Sequence, residues 1–295
     1  MDRRKFLLSL AALPLAATAM KLTDLHRITS SFKPSPRMPV LFLGHGSPMN
    51  AIDENEFVQG FRRVGREVPR PQAVLVVSAH WETRGTQVTA MAHPRTIHDF
   101  GGFPQALFDV QYPAPGSPEL AEETRQLVTG ATVGLDHSWG LDHGAWSVVR
   151  HMYPNADVPV IQMSIDYAMK PEQHYALARE IAPLRDKGVL IIGSGNMVHN
   201  LRMVAWDKLD QPYAYDWAQE ANDRMKQAIL SGDHRPLINF HAQGRAFDLA
   251  INSSEHFLPL LYALALKDGK DEVSLFNDKP LGGSLTMTSV KVQQV

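Results

Sequence analysis

The stretch that most constrains this chain is Val74 to Trp81, Val-Leu-Val-Val-Ser-Ala-His-Trp. A short apolar run rich in β-branched residues, bounded by Pro71 and a polar turn, predicts a strand buried on both faces. His80 falls where that strand ends, and in open α/β sheets the carboxyl ends of strands form the ligand crevice. The pattern occurs twice more. Met38 to Leu43 runs into Gly44-His45-Gly46-Ser47-Pro48, and Val189 to Ile192 runs into Gly193-Ser194-Gly195-Asn196 and on to His199. Three buried-strand candidates that lead into histidines point to a metal site, because imidazole is the commonest neutral ligand and strands hold it rigidly.

The chain has 295 residues, enough for one large α/β domain or two small ones. No internal repeat, low-complexity tract or linker interrupts residues 38 to 292, so the expected fold is a single three-layer αβα domain around a central mixed sheet. Cysteine is absent and histidine, at 13, is abundant. There is thus no disulfide framework, thiolate nucleophile or sulfur-ligated zinc, and any metal must use imidazole and carboxylate. A net charge of -2 with no basic stripe argues against nucleic acid as a partner.

The first residues read as a targeting segment. Asp2-Arg3-Arg4-Lys5-Phe6-Leu7, the apolar Leu8 to Leu15 and the small-x-small Ala17-Thr18-Ala19 resemble a twin-arginine signal over residues 1–19. Residues 20–37, polar and proline-containing, are the expected flexible lead-in, and 38–295 the catalytic domain. The reading implies the twin-arginine export machinery as a partner, a periplasmic location and a metal loaded before export. The apolar region is too short to span a bilayer comfortably, so no stable membrane insertion is expected after cleavage.

Further along, helices are expected over Asn55 to Gly65, Ser117 to Thr129, Pro171 to Asp186, Tyr215 to Leu230 and Leu260 to Leu266. Strands are expected over Gln87 to Met91, Val158 to Ser164 and Gly282 to Val292. Thr96 to Pro104 is an aromatic, glycine-rich loop holding His98, Asp99, Phe100 and Phe103. Trp139 to Trp146 sets His143 between Asp142 and Gly144, with a tryptophan at each end, a context for a titratable group in a partly dry pocket. Of the histidines, His45, His80, His199 and His256 are the candidate metal ligands. His143 is the candidate pocket acid or base, since Asp142 and the tryptophans can tune it without metal. None of the spacings is a short-range zinc motif.

Taken in order, Leu-Phe-Leu-Gly-His-Gly-Ser-Pro-Met, Val-Val-Ser-Ala-His-Trp, Thr-Ile-His-Asp-Phe-Gly-Gly-Phe-Pro, Asp-His-Gly-Ala-Trp, Gly-Ser-Gly-Asn-Met-Val-His-Asn and Glu-His-Phe-Leu-Pro-Leu-Leu resemble the 4,5-DOPA dioxygenase extradiol family. That family belongs to the LigB-type, class III extradiol enzymes, and the resemblance runs from Met38 to Val292. It implies a LigB-like fold and a non-haem metal enzyme that opens a small aromatic diol, L-DOPA or a related catechol, with O2. Carried over, His45 and His80 match the early metal histidines, His199 the histidine after the Gly-Asn strand and His256 the late one. Bacterial members are commonly described with zinc on these four positions, whereas ring cleavage calls for Fe(II), so the implied cofactor is one divalent metal, Zn(2+) or Fe(2+). Glu255 beside His256 is a second candidate at the late position, because iron extradiol sites usually combine two histidines with a carboxylate. His199, if not a ligand, and His143 are then the catalytic base and acid. His98, Phe100, Phe103 and Trp146 are the expected substrate-binding residues.

Two other readings use the same histidines. An exported zinc hydrolase of the amidase type would attack a carbonyl with metal-bound water, but no general-base glutamate is spaced from a ligand histidine. A non-catalytic periplasmic metal binder would want an exposed histidine-rich tract, and there is none.

Overall fold

The computed structural model describes residues 35–209 and 211–294. The expected signal at 1–19 and nearly all of the lead-in at 20–37 lie outside the described residues. In chain order the elements are β1 (Val40–Gly44), α1 (Glu56–Glu67), β2 (Ala73–Thr83), β3 (Thr86–Thr89), α2 (Gln105–Phe108), α3 (Pro118–Leu127), β4 (Val133–Asp136), α4 (His143–Met152), β5 (Val160–Asp166) and α5 (Pro171–Glu180). They continue with β6 (Val189–Gly195), α6 (Asp216–Ser231), α7 (Arg235–Ile238), α8 (Arg245–Ala250), α9 (Leu258–Ala265), β7 (Asp271–Phe276), β8 (Pro280–Leu281), β9 (Leu285–Thr286) and β10 (Ser289–Gln294).

Eight strands form one mixed sheet in the order β4-β3-β5-β2-β6-β1-β10-β7. β5, β2, β6 and β1 are parallel neighbours, while β3 opposes β5, and β10 opposes both β1 and β7. The three expected histidine strands are therefore adjacent, in the order β2-β6-β1, and their carboxyl ends share one edge.

Side-chain alternation sorts the two faces. Leu41, Leu43, Val74, Val76, Leu190 and Ile192 pack in one core with Phe61 and Val64 of α1 and Trp146 and Val149 of α4. The opposite face meets α9, which approaches β6 so closely that a Cβ on Gly193 or Gly195 would collide with the carbonyl oxygen of Pro259 or His256. Helices thus cover both faces, as the unbroken apolar strands require.

Local signals explain most boundaries. Asn55 caps α1, its side chain accepting from the amides of Phe57 and Val58, and Ser117 caps α3 through Leu120 N. Three expectations change. The helix expected from Pro171 to Asp186 ends at Glu180 and continues as a 3-10 turn over Ala182–Lys187, because Pro183 has no N–H to give to Arg179. Trp139 to Trp146, to which the sequence assigns no helix, contains the start of α4, with Asp142 as its N-cap. The single strand expected over 282–292 is divided: Gly282 and Gly283, at φ of 55° and 82°, turn between β8 and β9, and β10 starts only at Ser289. Among the described residues, no helix is long and apolar enough to cross a membrane.

One buried ion pair ties the segment before β1 to the stretch from the end of α9 to the start of β7. Arg185, fully buried, donates Nη1 and Nη2 to the Asp271 carboxylate at 2.7 and 2.9 Å, Nε to Met38 O at 2.8 Å and Nη1 to Leu266 O at 2.7 Å. Burial alone raises the Asp271 pKa, but the Arg185 hydrogen bonds, the Asp268 amide and the attraction of Arg185 more than reverse it. Removing one partner strands a buried charge. Asp271→Ala is expected to lower unfolding stability by about 3–5 kcal/mol, whereas Arg37→Ala, whose partners Asp186 and Asp268 are solvent-exposed, lowers it by about 0–1 kcal/mol. Urea denaturation of the two variants checks this, and similar losses would contradict it.

Candidate metal centre

His45 follows β1 directly, and its backbone is fixed on both sides. Its N–H donates to Gly195 O of β6 at 3.0 Å, and its carbonyl accepts from Asn50 Nδ2 at 2.8 Å. The ring is oriented by Ser194, whose Oγ lies 3.0 Å from His45 Nδ1 and 2.5 Å from Gly144 O. A carbonyl can only accept, so the single hydroxyl proton goes to Gly144 and His45 Nδ1 must donate. His45 Nε2 is left as a lone pair.

Two other imidazoles have a carboxylate oxygen beside Nδ1. His80, near the end of β2, has Nδ1 3.4 Å from Asp99 Oδ2, and His256, just before α9, has Nδ1 3.1 Å from Glu255 Oε1. His80 Nε2 faces His45 Nε2 at 3.1 Å. One nitrogen each from His45, His80 and His256 lies within 4.8 Å of the others. Lone pairs forced this close repel unless a cation lies between them, and a set of neutral nitrogens whose far sides carry hydrogen-bonded carboxylate or hydroxyl is the donor arrangement that suits a divalent metal. The residues therefore fit the group.

The remaining candidates surround this set. His143 opens α4, its amide donating to Asp99 Oδ1 and its Nδ1 lying 2.9 Å from Asp99 Oδ2, while its ring centroid is 3.9 Å from that of His80. His199 stacks on His256 with centroids 3.6 Å apart and planes inclined by 8°. Beneath, Asp142 accepts from Ser78 Oγ at 2.7 Å, Gln162 Nε2 at 2.6 Å and the Ala145 amide at 3.1 Å, and Ser78 in turn accepts from the His80 amide. Every strong donor there has a partner, so the base of the site is rigid.

A cavity of about 330 Å³ opens over the histidines. His45, His80, His143, His199 and His256 form its floor, and Phe103, Leu201, Val204, Trp206, Leu209, Leu281 and Leu285 its wall. Of the expected substrate-binding residues, only Phe103 lines the cavity. Phe100 lies edge-on to His143 at 5.6 Å, one step behind the surface. Trp146 is fully buried, with Nε1 donating to Ile97 O, and so braces the loop from the core. His98 turns the other way, its Nε2 2.9 Å from Val110 O and its ring among Phe100, Phe108 and Trp146. Adjacent residues of an extended loop point to opposite sides, which is why Asp99, rather than His98, reaches the histidines. Asp99 has no short-range sequence signal, since His143 is 44 residues away. The apolar wall from 201 to 209 went unnoticed because its residues follow no helical or strand period.

Burial sets the electrostatics. It holds His45 and His80 well below the ordinary imidazole pKa, helped by the neighbouring imidazoles, and with His256 it pushes His199 down to about 3. Burial alone would raise Asp99 and Glu255, yet His143 reverses the effect on Asp99, and His256 and Ser253 bring Glu255 down to about 2. Asp142, fully buried and near Asp99, is raised. The lowered histidines make the metal-free protein acid-sensitive. Between the folded pKa and the unfolded value of 6.5 the unfolded chain binds protons that the folded chain does not, so stability is complete above that value and is lost as pH falls towards about 3. Each such histidine adds a slope of up to about 1.4 kcal/mol per pH unit. Urea midpoints of the metal-free protein are expected to drop steadily from pH 7 to 5, and less steeply in His199→Asn; equal slopes would contradict the assignment.

Comparison with known proteins agrees with this geometry. Residues 38–284 match the family model described as the catalytic LigB subunit of aromatic ring-opening dioxygenase. A protein of Escherichia coli (strain K12) named 4,5-DOPA dioxygenase extradiol is 47% identical over 264 residues, covering 88% of this chain and 96% of that protein. One of the same name from Beta vulgaris is 36% identical, covering 85% and 94%. The crystal structure of an uncharacterized protein from Escherichia coli K12 superposes with a TM-score of 0.76 at 41% identity, covering 87% of this chain and all of that one. The zinc-hydrolase reading finds no support in these matches, and Asp99 and Glu255, the carboxylates beside the imidazoles, are hydrogen-bonded to His143 and His256. With a family model over most of its length and named relatives spanned almost end to end, the chain belongs to the LigB family of aromatic ring-opening dioxygenases.

Proposed function

We propose that this protein opens a catechol ring with O2 beside the two hydroxyls, using one divalent metal held by His45, His80 and His256, with Fe(II) as the active ion. The observation that carries the reading is the set of three imidazoles with nitrogens within 4.8 Å of one another at the floor of an apolar cavity, each with Ser194, Asp99 or Glu255 beside its Nδ1. In the overall change a ring C–C bond next to the diol breaks and both atoms of O2 enter the product, as an aldehyde and a carboxylate, with no outside reductant. A bound redox-active metal would supply Lewis acidity towards the diol, as zinc also would, and a route for electron density to O2, which zinc would not.

The protein's own groups do the rest. His199, at the cavity floor and stacked on His256, is the group that accepts the proton of a substrate hydroxyl. His143, held by Asp99 at both its amide and its Nδ1, is the proton donor on the opposite side. Phe103 and the apolar wall exclude water from the ring. A second reading makes His199 a fourth ligand, favoured by its contact with His256. Export by the twin-arginine route to the periplasm remains part of the proposal and rests on Arg3-Arg4 and the residues after them.

Anaerobic loading with Fe(II) followed by a catechol and O2 is expected to give oxygen uptake and a yellow semialdehyde, and loading with Zn(2+) to give neither. His143→Gln is expected to retain metal and lose about 10²- to 10⁴-fold in kcat. His199→Asn retains metal and loses activity if the residue is a base, and loses metal if it is a ligand. Uptake with zinc, or none with any catechol, would overturn the proposal.

A further inference from the structure

We propose that the preferred substrate is a catechol whose ring substituent is uncharged and apolar, seated against Leu201, Trp206 and Leu209, over one that carries an amino-acid end. This rests on the ring-opening reading above and narrows it.

The first observation is the charge of the lining. Among the described residues around the cavity the only ionisable side chains are the five floor histidines, with no lysine, arginine, aspartate or glutamate. The nearby charges are elsewhere engaged or outside. Lys208, set between Trp206 and Leu209 in sequence, places its ammonium 3.9 Å from the centroid of the Tyr213 ring. Asp99 and Glu255 accept from imidazoles, and Arg202 and Asp207 are exposed and do not line the cavity. An ammonium and a carboxylate brought to this wall would lose water and gain no partner.

The second observation is the mouth. Six large hydrophobic side chains are exposed among the described residues, and three of them, Leu201 at 56%, Trp206 at 69% and Leu209 at 37%, belong to this one loop and line this one cavity. Apolar groups left open to water at a cavity rim mark a surface that an apolar ligand covers. The loop is also fixed in place. It consists of two 3-10 turns, Leu201–Met203 and Trp206–Lys208, and between them Ala205 N donates to Gly282 O at 2.8 Å. At Gly282, whose φ is 55°, any Cβ would press on Leu209 and Val204, so the glycine lets the loop settle against the β8–β9 turn. The wall is therefore present before substrate arrives.

Each methylene buried there should multiply affinity by about fourfold. The test uses two readouts on the full chain: oxygen uptake of the Fe(II)-loaded enzyme with catechol, 4-methylcatechol, 4-propylcatechol and L-DOPA, and anaerobic quenching of tryptophan fluorescence by the same compounds. The expected result is a graded rise in kcat/KM along the alkyl series, carried by KM, with 4-propylcatechol at least tenfold above L-DOPA in both readouts. Trp206→Ser is expected to flatten the series and Trp206→Leu to restore it. L-DOPA turning over or binding as well as 4-propylcatechol would overturn the apolar-substituent assignment alone. An intact binding preference with no oxygen uptake from any catechol would overturn the ring-opening reading alone.

Discussion

The hydroxyl of Ser194 ties three parts of the molecule together, and the site depends on it. It sits on β6, donates to the carbonyl of Gly144 in the first turn of α4, and accepts from the His45 ring that follows β1. One proton thereby sets the distance between helix and sheet and fixes which nitrogen of His45 faces the cavity. The close approach is possible because Gly144 has no side chain; a Cβ there would meet Ser78 Oγ and the His80 ring. Packing, tautomer and ligand geometry are one constraint in this region, and none can relax without the others.

Charge is distributed around the centre with the same economy. Two ionised carboxylates, Asp99 and Glu255, sit on the outer nitrogens of the histidines and none on the inner ones, so the centre is electron-rich without carrying a formal negative ligand. A dication placed among these imidazoles would keep most of its charge for other ligands, and carboxylates hydrogen-bonded to the outer nitrogens would raise the basicity of the imidazoles around it. Asp142, raised in pKa by burial and by Asp99, accepts from Ser78, Gln162 and the Ala145 amide and so stabilises the floor.

Much of this was legible in the sequence, for physical reasons that differ from one element to the next. β1, β2 and β6 announced themselves because strands buried on both faces must be continuously apolar, and the histidines at their ends could be placed by that fact alone. His256 was legible mainly through resemblance, since a residue before a helix has no period of its own. What stayed hidden was what depends on long-range contact. Asp99 meets His143 across 44 residues, Arg185 meets Asp271 across 86, and β7 is too polar, alternating Asp-Glu-Val-Ser-Leu-Phe at the sheet edge, to stand out. α4 was missed although its cap residue, Asp142, was in view, because the glycine and histidine that follow are poor helix formers and tertiary packing overrides them. Trp146 was misplaced because a large aromatic beside a histidine reads equally well as a pocket wall or as core.

The segment that leads into β1 has a practical side. Ser35 N donates to Asp186 O, Arg37 pairs with Asp186 and Asp268, and Met38 N donates to Arg185 O, so residues 35–38 are fastened at the amino end of β1. The histidines lie beyond its carboxyl end. Five residues at about 3.3 Å each make β1 a rigid spacer of about 16 Å between the two. A bead, electrode or carrier coupled through a side chain placed at position 35 would therefore sit beside the amino end of β1, away from the histidines beyond its carboxyl end.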